Sequence, residues 1–439
     1  RTHLCIARLM LQHTPTSEQE NILMPMVLQY NAGRVLICDD EEQARLCQLN
    51  LKAAQQIKSS AAYETALAYA KIAKTLLAED SWQTDYALSF AVFKEFTDCT
   101  YLCGDFESGN VHTRILLDRA RSRLEKAEVY LMQCRYYVVQ GRGLESIQTG
   151  VTGLGLFGIR LSMQPSKLIM FYQLCHTRWQ MRQQTPERLL EKAITIDPEQ
   201  RMIRKFYLEI MSTAYITGHY NFMMVMTCKM ILHSLQYGNS PESAYAYYTY
   251  GFISRHVFGD PNTASEFGKL ALKLNERFND IESKCKLFTV YALFSQCWDQ
   301  HWKTVSETLQ KAITAGKQSG DMQHLAFAYI TDINIEPCSD LKDGLQQSEK
   351  YLALIKKTKV RDAIEYISNI RQSRRNLLGL THDRFSLNDD EFDESACIAR
   401  LQDINTSTGI ATFHLSKLRL ALIYGDGSRA LVQTHALDQ

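Results

Sequence analysis

One recurring pattern constrains the fold of this chain more than any other: a helical stretch rich in Tyr or Phe ends in a glycine, and a polar residue then starts a new helical stretch. The pattern occurs at residues 101–105, 215–219, 256–260 and 423–426. Such a glycine ends a helix in the left-handed conformation, and an aspartate after it caps the next helix. With Gly141 and the Trp298-Asp299 step included, successive breaks are 37, 77, 41, 39 and 127 residues apart. These spacings lie near multiples of about 40, which indicates a degenerate helical-hairpin repeat slightly longer than the tetratricopeptide unit.

Periodicity and composition also favour helices throughout. Apolar residues step by four, three, four and three along residues 62–76, as expected for one face of an amphipathic helix. Only 8 prolines and 21 glycines occur in 439 residues, which disfavours an all-β fold. We therefore predict an all-α, right-handed, tetratricopeptide-like solenoid of about ten to twelve helical hairpins, from the length divided by the repeat.

Several local features can be assigned from residue type. Proline is tolerated at the first position of a helix, after a capping side chain. Four pairs predict such helix starts: Thr185-Pro186, Asp197-Pro198, Ser240-Pro241 and Asp260-Pro261. Pro25 is expected to kink or interrupt a helix over residues 17–30. The clearest repeat unit is residues 242–275, where Gly251 lets two helices approach and a stripe packs between them, formed by Ala264, Phe267, Ala271 and Leu274.

The expected organisation is one continuous array of repeats, because no long Gly, Ser or Pro linker divides the chain. Residues 1–40 are predicted to be a helical segment that follows an upstream ATPase module. Residues 41–385 are predicted to be tetratricopeptide-like repeats, 386–396 an exposed acidic loop, and 397–439 a truncated C-terminal repeat. The chain begins at Arg1 and ends within a helical pattern, so it is expected to be a piece of a longer protein.

Charge and cysteine usage exclude several classes of function. The formal net charge of +1 provides no broad electrostatic attraction for nucleic acid or an anionic membrane. No segment has the form of a signal peptide or of an 18-residue apolar span, so no membrane insertion is expected. The twelve cysteines are scattered singly, which is typical of reduced thiols and predicts a cytoplasmic location.

The motifs that could indicate catalysis or cofactor binding are weak. Residues 153–158 match GxGxxG, but the preceding residues indicate a helix rather than the strand that a dinucleotide site requires. Cys99 and Cys103, and the adjacent Cys175-His176, lack the four-ligand spacing of structural zinc. No Walker loop or GxSxG elbow occurs. We therefore predict no enzymatic activity, no cofactor and no metal for this chain.

The candidate ligand groove lies on the first helix of the best repeat. Tyr245, Tyr248, Phe252 and Arg255 step by three, four and three, and this residue composition is typical of surfaces that hold peptides. The alternative is that these side chains pack between neighbouring repeats, because one helix does not reveal which face points outward. Trp298 and Trp302 are predicted to lie in the core.

Several segments resemble a known family over nearly the whole chain, from about Arg1 to Asp426. They are residues 49–54, 59–67, 101–106, 375–381 and 392–394. They resemble the helical-repeat region of large bacterial and fungal signalling proteins. In that family a Ser/Thr-kinase-like domain and an AAA/STAND-type ATPase precede the repeats, and a GAF domain with a histidine kinase or a cyclase usually follows.

The resemblance implies a regulatory arm that receives a signal and controls neighbouring nucleotide-dependent domains. The expected partners are a protein or peptide and the flanking domains of the same polypeptide. Two alternatives remain: a free-standing peptide-pheromone receptor or transcriptional regulator, which should carry a helix-turn-helix, and a small-molecule receptor with an aromatic pocket. A hidden enzyme is third.

Overall fold

Helices account for most of the structure. The computed structural model describes residues 1–15, 19, 21–60, 62–335, 340–356, 360–404 and 407–437. Within these ranges no β-strand forms, and an isolated parallel bridge pairs Ile194 with Asn239. The prediction of an all-α fold is confirmed. Contacts divide the chain into two compact units, residues 1–133 and 134–439, at a point where the sequence indicated no boundary.

The first unit consists of successive helices that pack in pairs. They are α1 (Thr2–His13), α2 (Leu23–Gly33), a 3₁₀ turn (Arg34–Leu36), α3 (Asp40–Ser59), α4 (Tyr63–Thr75), α5 (Ser81–Thr84), α6 (Tyr86–Leu102), α7 (Phe106–Arg119) and the start of α8 (Arg123–Val139). The pairs α1/α2, α3/α4 and α6/α7 are in contact. Leu4, Met26, Tyr30 and Leu46 are buried in a core that joins the first three helices. These short connections produce the helical hairpins that the repeat predicts.

The second unit continues the same plan. Its helices are α9 (Gly143–Gly155), α10 (Lys167–Met181), α11 (Pro186–Leu190), α12 (Pro198–Ile216), α13 (Tyr220–Tyr237), α14 (Ser243–Phe258), α15 (Pro261–Phe278), α16 (Ile281–Tyr291), a π-helical turn (Ala292–Gln296), α17 (Cys297–Asp299), α18 (Trp302–Ser319), α19 (Met322–Ile335), α20 (Leu341–Lys356), α21 (Arg361–Leu377), α22 (Glu394–Asp403), α23 (Ser407–Ile423) and α24 (Gly427–Leu437). Contacting pairs include α12/α13, α14/α15, α16/α18, α20/α21 and α23/α24. In the α14/α15 hairpin the predicted stripe is buried, and Gly251 faces the backbone of Ala264 with no room for a side chain.

The predicted helix breaks are confirmed at the glycines. Those at 104, 141, 218, 259 and 425 have φ between 64° and 77°, the left-handed region that glycine adopts without strain. Asp105, Asp260 and Asp426 each accept a backbone N–H bond from the next helix, as predicted. The break at Trp298 differs from the others, because it follows a π-helical turn. Trp298 is also 74% exposed, so the prediction that it lies in the core is wrong. Trp302 is half-buried.

The proline predictions hold at three of the four pairs. Thr185, Asp197 and Asp260 cap helices whose first residue is proline. The fourth prediction is wrong: α14 begins at Ser243, after Pro241, and the Ser243 hydroxyl accepts a hydrogen bond from the Ser240 N–H.

The interruption predicted just before Pro25 is present in the described residues, because residues 19, 21 and 22 form a turn and the helix starts only after them. Helix α2 begins at Leu23, so Pro25 lies in its first turn. The backbone N–H groups of a first turn have no partner within the helix, and proline loses nothing there.

The acidic segment 386–396 is anchored rather than fully solvated. It is a loop up to Asp393, and α22 begins at Glu394. The Asp389 side chain is only 5% exposed and accepts a 2.8 Å hydrogen bond from Arg375 Nε. Leu387 beside it is completely buried. The ion pair of Asp389 and the buried side chain of Leu387 therefore anchor this loop, although its acidic composition predicts exposure to solvent.

The structure also bears on the cysteines and on membrane insertion. The described cysteines are all free, and Cys338 lies outside the described residues. No helix in the described part of the chain is both long and apolar enough to cross a bilayer.

Candidate functional site

A group of polar side chains joins helices of the second unit that are not neighbours in the repeat. We call it the cross-hairpin cluster, and it consists of Arg135, Lys205, Glu209, Ser212, Glu282, Lys286, Asp321 and His324. Its members come from α8, α12, α16 and α19, and from Asp321 just before α19. In an extended repeat array each hairpin contacts only its neighbours. The hydrogen bond between Ser212 of α12 and His324 of α19 therefore joins hairpins that are not adjacent along the chain.

Glu282 is the centre of the first half of the cluster. Arg135 donates to Glu282 Oε1 at 2.5 Å, and Lys205 donates to Glu282 Oε2 at 3.0 Å. Arg135 also lies 3.7 Å from Glu209. The side chains of Arg135 and Glu282 are 44% and 47% exposed, so this half of the cluster can be reached from solvent.

The second half of the cluster is more buried. Lys286 donates to Glu209 at 3.3 Å, and its side chain is 6% exposed. Ser212 Oγ lies 3.2 Å from His324 Nε2, and the other ring nitrogen of His324 lies 3.0 Å from Asp321. The two hydrogen bonds that run from Ser212 through His324 to Asp321 link α12 directly to the start of α19.

The charges of the cluster are balanced, with three permanent cations and three carboxylates. The charge of Arg135, with that of Lys205, lowers the pKa of Glu282 to about 2. Burial alone would raise the pKa of Asp321, but His324 and Lys286 bring that pKa well below its ordinary value. Both carboxyl groups are therefore ionised at neutral pH.

The predicted groove residues lie on α14, beside this cluster. Tyr245 and Tyr248 are buried, and burial raises the pKa of both well above the ordinary value. Tyr245 lies beside Ser212 of the cluster, whose hydroxyl offsets part of the pKa increase that burial causes. Tyr248 donates to the Val290 carbonyl at 2.8 Å.

The other two predicted groove residues are half-buried. The Phe252 ring lies 4.2 Å from that of His256 and 5.5 Å from that of Phe294. Arg255 is exposed to a similar degree. Tyr245 therefore lies beside the cluster, whereas a ligand-binding role for the four residues stays a prediction.

Sequence reasoning missed the cross-hairpin cluster. Its bonds connect residues that are 77, 112 and 147 positions apart, and no local pattern specifies such pairs. A weak signal was present, because Lys205, Glu209 and Ser212 step by four and three along one face of α12. Polar residues at this spacing amid apolar ones mark a helix face that meets another polar face.

The candidate nucleotide motif is a helix end. Residues 143–155 form α9, so the strand that a dinucleotide site requires is replaced by a helix. Gly150 and Gly153 instead allow close packing, since a side chain at either would overlap Ile210 or Phe206 of α12. In the described part of the chain, no group of three or more His, Cys, Asp or Glu side chains is placed to hold a metal ion.

Comparison with known proteins gives limited similarity. No family model matches the chain. Over 332 residues, 69% of this chain, it is 22% identical to hybrid signal transduction histidine kinase G of Dictyostelium discoideum, and it spans about a tenth of that protein's length. A solved structure of a Rap protein complexed with competence and sporulation factor is 14% identical, with a TM-score of 0.42, and the match covers 82% of this chain and 98% of that one. The kinase-like, ATPase and GAF domains implied by the earlier resemblance stay predictions.

Proposed function

We propose that this chain is a non-catalytic protein- or peptide-binding and regulatory region of a cytosolic signal-transduction ATPase or kinase. The observation that carries the proposal is the cross-hairpin cluster, in which half-exposed ion pairs join helices from non-adjacent hairpins. The partial similarity to a signalling histidine kinase supports a place within a larger signalling protein.

The proposed ligand is a peptide segment that carries both charges. Its carboxylate would pair with Arg135 and Lys205, and its cationic group would pair with Glu282 or Glu209. Half-exposed ion pairs contribute little to stability individually, so a ligand can replace them at low cost.

Binding at the cluster would be relayed through the stacked hairpins. The cluster ties α8, α12, α16 and α19 together, so replacing its internal bonds shifts the balance between closed and open arrangements of the second unit. Each hairpin packs on the next, and a change of arrangement would reach the flanking domains of the same polypeptide. We propose that these domains are held off or released in this way.

A random peptide display library selected against the purified chain tests this function. We expect enriched peptides whose affinity, measured by fluorescence anisotropy, falls about tenfold in Arg135→Gln and Glu282→Gln, because a bound charge then loses its partner. Glu307→Gln on α18, an exposed glutamate outside the cluster, is the matched control and should bind as the parent chain does. Peptides that bind both cluster variants at full affinity would contradict the proposal.

The second candidate is a ligand-sensing domain of a transcriptional regulator or a quorum-sensing type receptor. The buried tyrosines beside the cluster favour it, since aromatic walls with a few convergent polar groups are typical of small-molecule pockets. A thermal-shift screen of metabolites separates the two candidates. A metabolite that stabilises the parent chain but not Tyr248→Ala, together with no enriched peptide, would favour this second candidate.

A further inference from the structure

Helix α10 exposes an apolar face that no part of the described chain covers. Leu168, Tyr172, Cys175 and Trp179 step by four, three and four along this face, and all four are exposed, Leu168 to 82% and Trp179 to 62%. Ile169 and Phe171 extend it. The opposite side of α10 is buried and packs against α13, through Leu174, Thr177 and Met181. We call the exposed side the α10 face.

The rings of the α10 face stack along the helix. The His176 ring lies between those of Tyr172 and Trp179, with centroids 6.0 and 6.5 Å away and interplanar angles of 4° and 23°. Tyr and Trp side chains have only two rotatable side-chain angles, so they lose little conformational entropy when a partner binds. Tyr and Trp are also the residues that contribute most strongly at protein interfaces. The α10 face therefore has the composition of an interface rather than of an ordinary solvated helix.

The surroundings of the α10 face are basic. Residues 146–186 contain no Asp or Glu, although the whole chain is nearly neutral. The same stretch contains Arg160, Lys167, Arg178 and Arg182, and all four are exposed. Lys167 lies at the start of α10 and the last two arginines at its end, where Arg178 is held 4.2 Å from the centre of the Phe258 ring. Cations at both ends of an apolar stripe favour a partner with carboxylates at matching positions.

We propose that the α10 face binds an amphipathic protein helix that presents an apolar stripe flanked by Asp or Glu. A second copy of the chain fits less well, because antiparallel pairing of two α10 helices would place Lys167 against Arg182. A membrane also fits less well. Interfacial helices carry Lys and Arg along the whole side opposite their apolar face. The side of α10 opposite the α10 face is instead packed against α13. This surface lies on a different helix from the cross-hairpin cluster, and the proposal does not depend on the function proposed above.

Alkylation of Cys175 tests the proposal, because this thiol lies in the middle of the α10 face. The full chain is treated with iodoacetamide, and modification of each cysteine is followed by mass spectrometry, with exposed Cys5 and Cys38 as internal controls. The probes are two synthetic helices with the same leucine stripe, one flanked by glutamates and one by lysines. We expect only the glutamate helix to slow alkylation of Cys175, with an affinity about tenfold above that of the lysine helix and weakened by salt.

Variants establish that the effect arises from the α10 face. Trp179→Ala should abolish protection of Cys175, and the pair Lys167→Glu with Arg182→Glu should reverse the preference in favour of the lysine helix. Lys311→Glu on α18, an exposed cation elsewhere, is the matched control and should leave the preference unchanged. All of these residues are exposed, so far-UV circular dichroism should stay as in the parent chain.

Four results would overturn the proposal. They are equal protection by both helices, no protection by either, protection by phosphatidylserine-containing vesicles instead of peptide, and protection that rises with the concentration of the chain alone. The third would identify a membrane surface, and the fourth a second copy.

Discussion

At the scale of single residues, Glu282 is the carboxylate that joins α16 to both α8 and α12. It accepts hydrogen bonds from both Arg135 and Lys205. Glu282→Gln should lower the free energy of unfolding by about 1 kcal/mol, a small value because half-exposed ion pairs are screened by solvent. Urea unfolding followed by circular dichroism measures the change. Glu307→Gln should give no change, and an equal loss in both variants would show that Glu282 has no special partner.

The depressed pKa of Glu282 also predicts how stability depends on pH. Its pKa is about 2 in the folded chain and 4.5 ordinarily, so its contribution is fully present above pH 4.5 and is lost as the pH falls toward 2. Other carboxylates titrate in the same range, and the informative quantity is therefore the difference between the parent chain and Glu282→Gln. We expect this difference in unfolding midpoint to shrink steadily below pH 4.5. A difference that is as large at pH 2 as at pH 7 would contradict the assigned ion pairs.

At the scale of helices, the close packing of α9 on α12 gives a matched pair of tests. Gly153→Ala would place a methyl group on the Phe206 ring, and overpacking of this kind typically costs about 1–3 kcal/mol. Gly155→Ala lies at the end of the same helix with nothing within 4 Å, so it should be neutral or slightly stabilising. Thermal unfolding distinguishes them. Equal melting temperatures for the two variants would mean that Gly153 is not at a helix contact.

Helices could be predicted from the sequence where local chemistry determines them. A left-handed glycine such as Gly259 and a capping aspartate such as Asp260 act within a few residues, and the breaks at these positions were predicted. The start of α14 was missed because the hydroxyl that orders it belongs to Ser243 inside the helix rather than to Ser240 before it. Asp389 was predicted to be solvated. Its burial was missed because its partner, Arg375, lies on the preceding helix. Such pairings depend on packing and leave no periodic signal.

The candidate site was predictable only in part, for the same physical reason. The step from Tyr245 to Tyr248 and Phe252 lies on α14, beside the cluster, and its ligand-binding role stays a prediction. The ion pairs of Arg135 and Glu282 were not predictable, because 147 residues separate the two. Likewise, the exposure of Trp179 follows from which side of α10 meets α13, and the periodicity of one helix does not specify this.

At the scale of the whole molecule, ion pairs join helices from non-adjacent hairpins of the second unit. Under the proposed function, the stacked hairpins would transmit a local change to their neighbours. The α10 face adds a second contact surface of different chemistry, apolar with basic ends. Under the proposed function, a chain with two such surfaces would join a partner to the flanking domains.

The most direct test of closure by the cluster is peptide-resolved hydrogen exchange of the variant Glu282→Lys. This substitution places a cation against Arg135 and Lys205, so the bonds from α16 to α8 and α12 are replaced by repulsion. We expect faster exchange in α8, α12 and α16 together, with α20 and α21 unchanged. Faster exchange confined to the turn of α16 that carries the substitution would contradict this expectation.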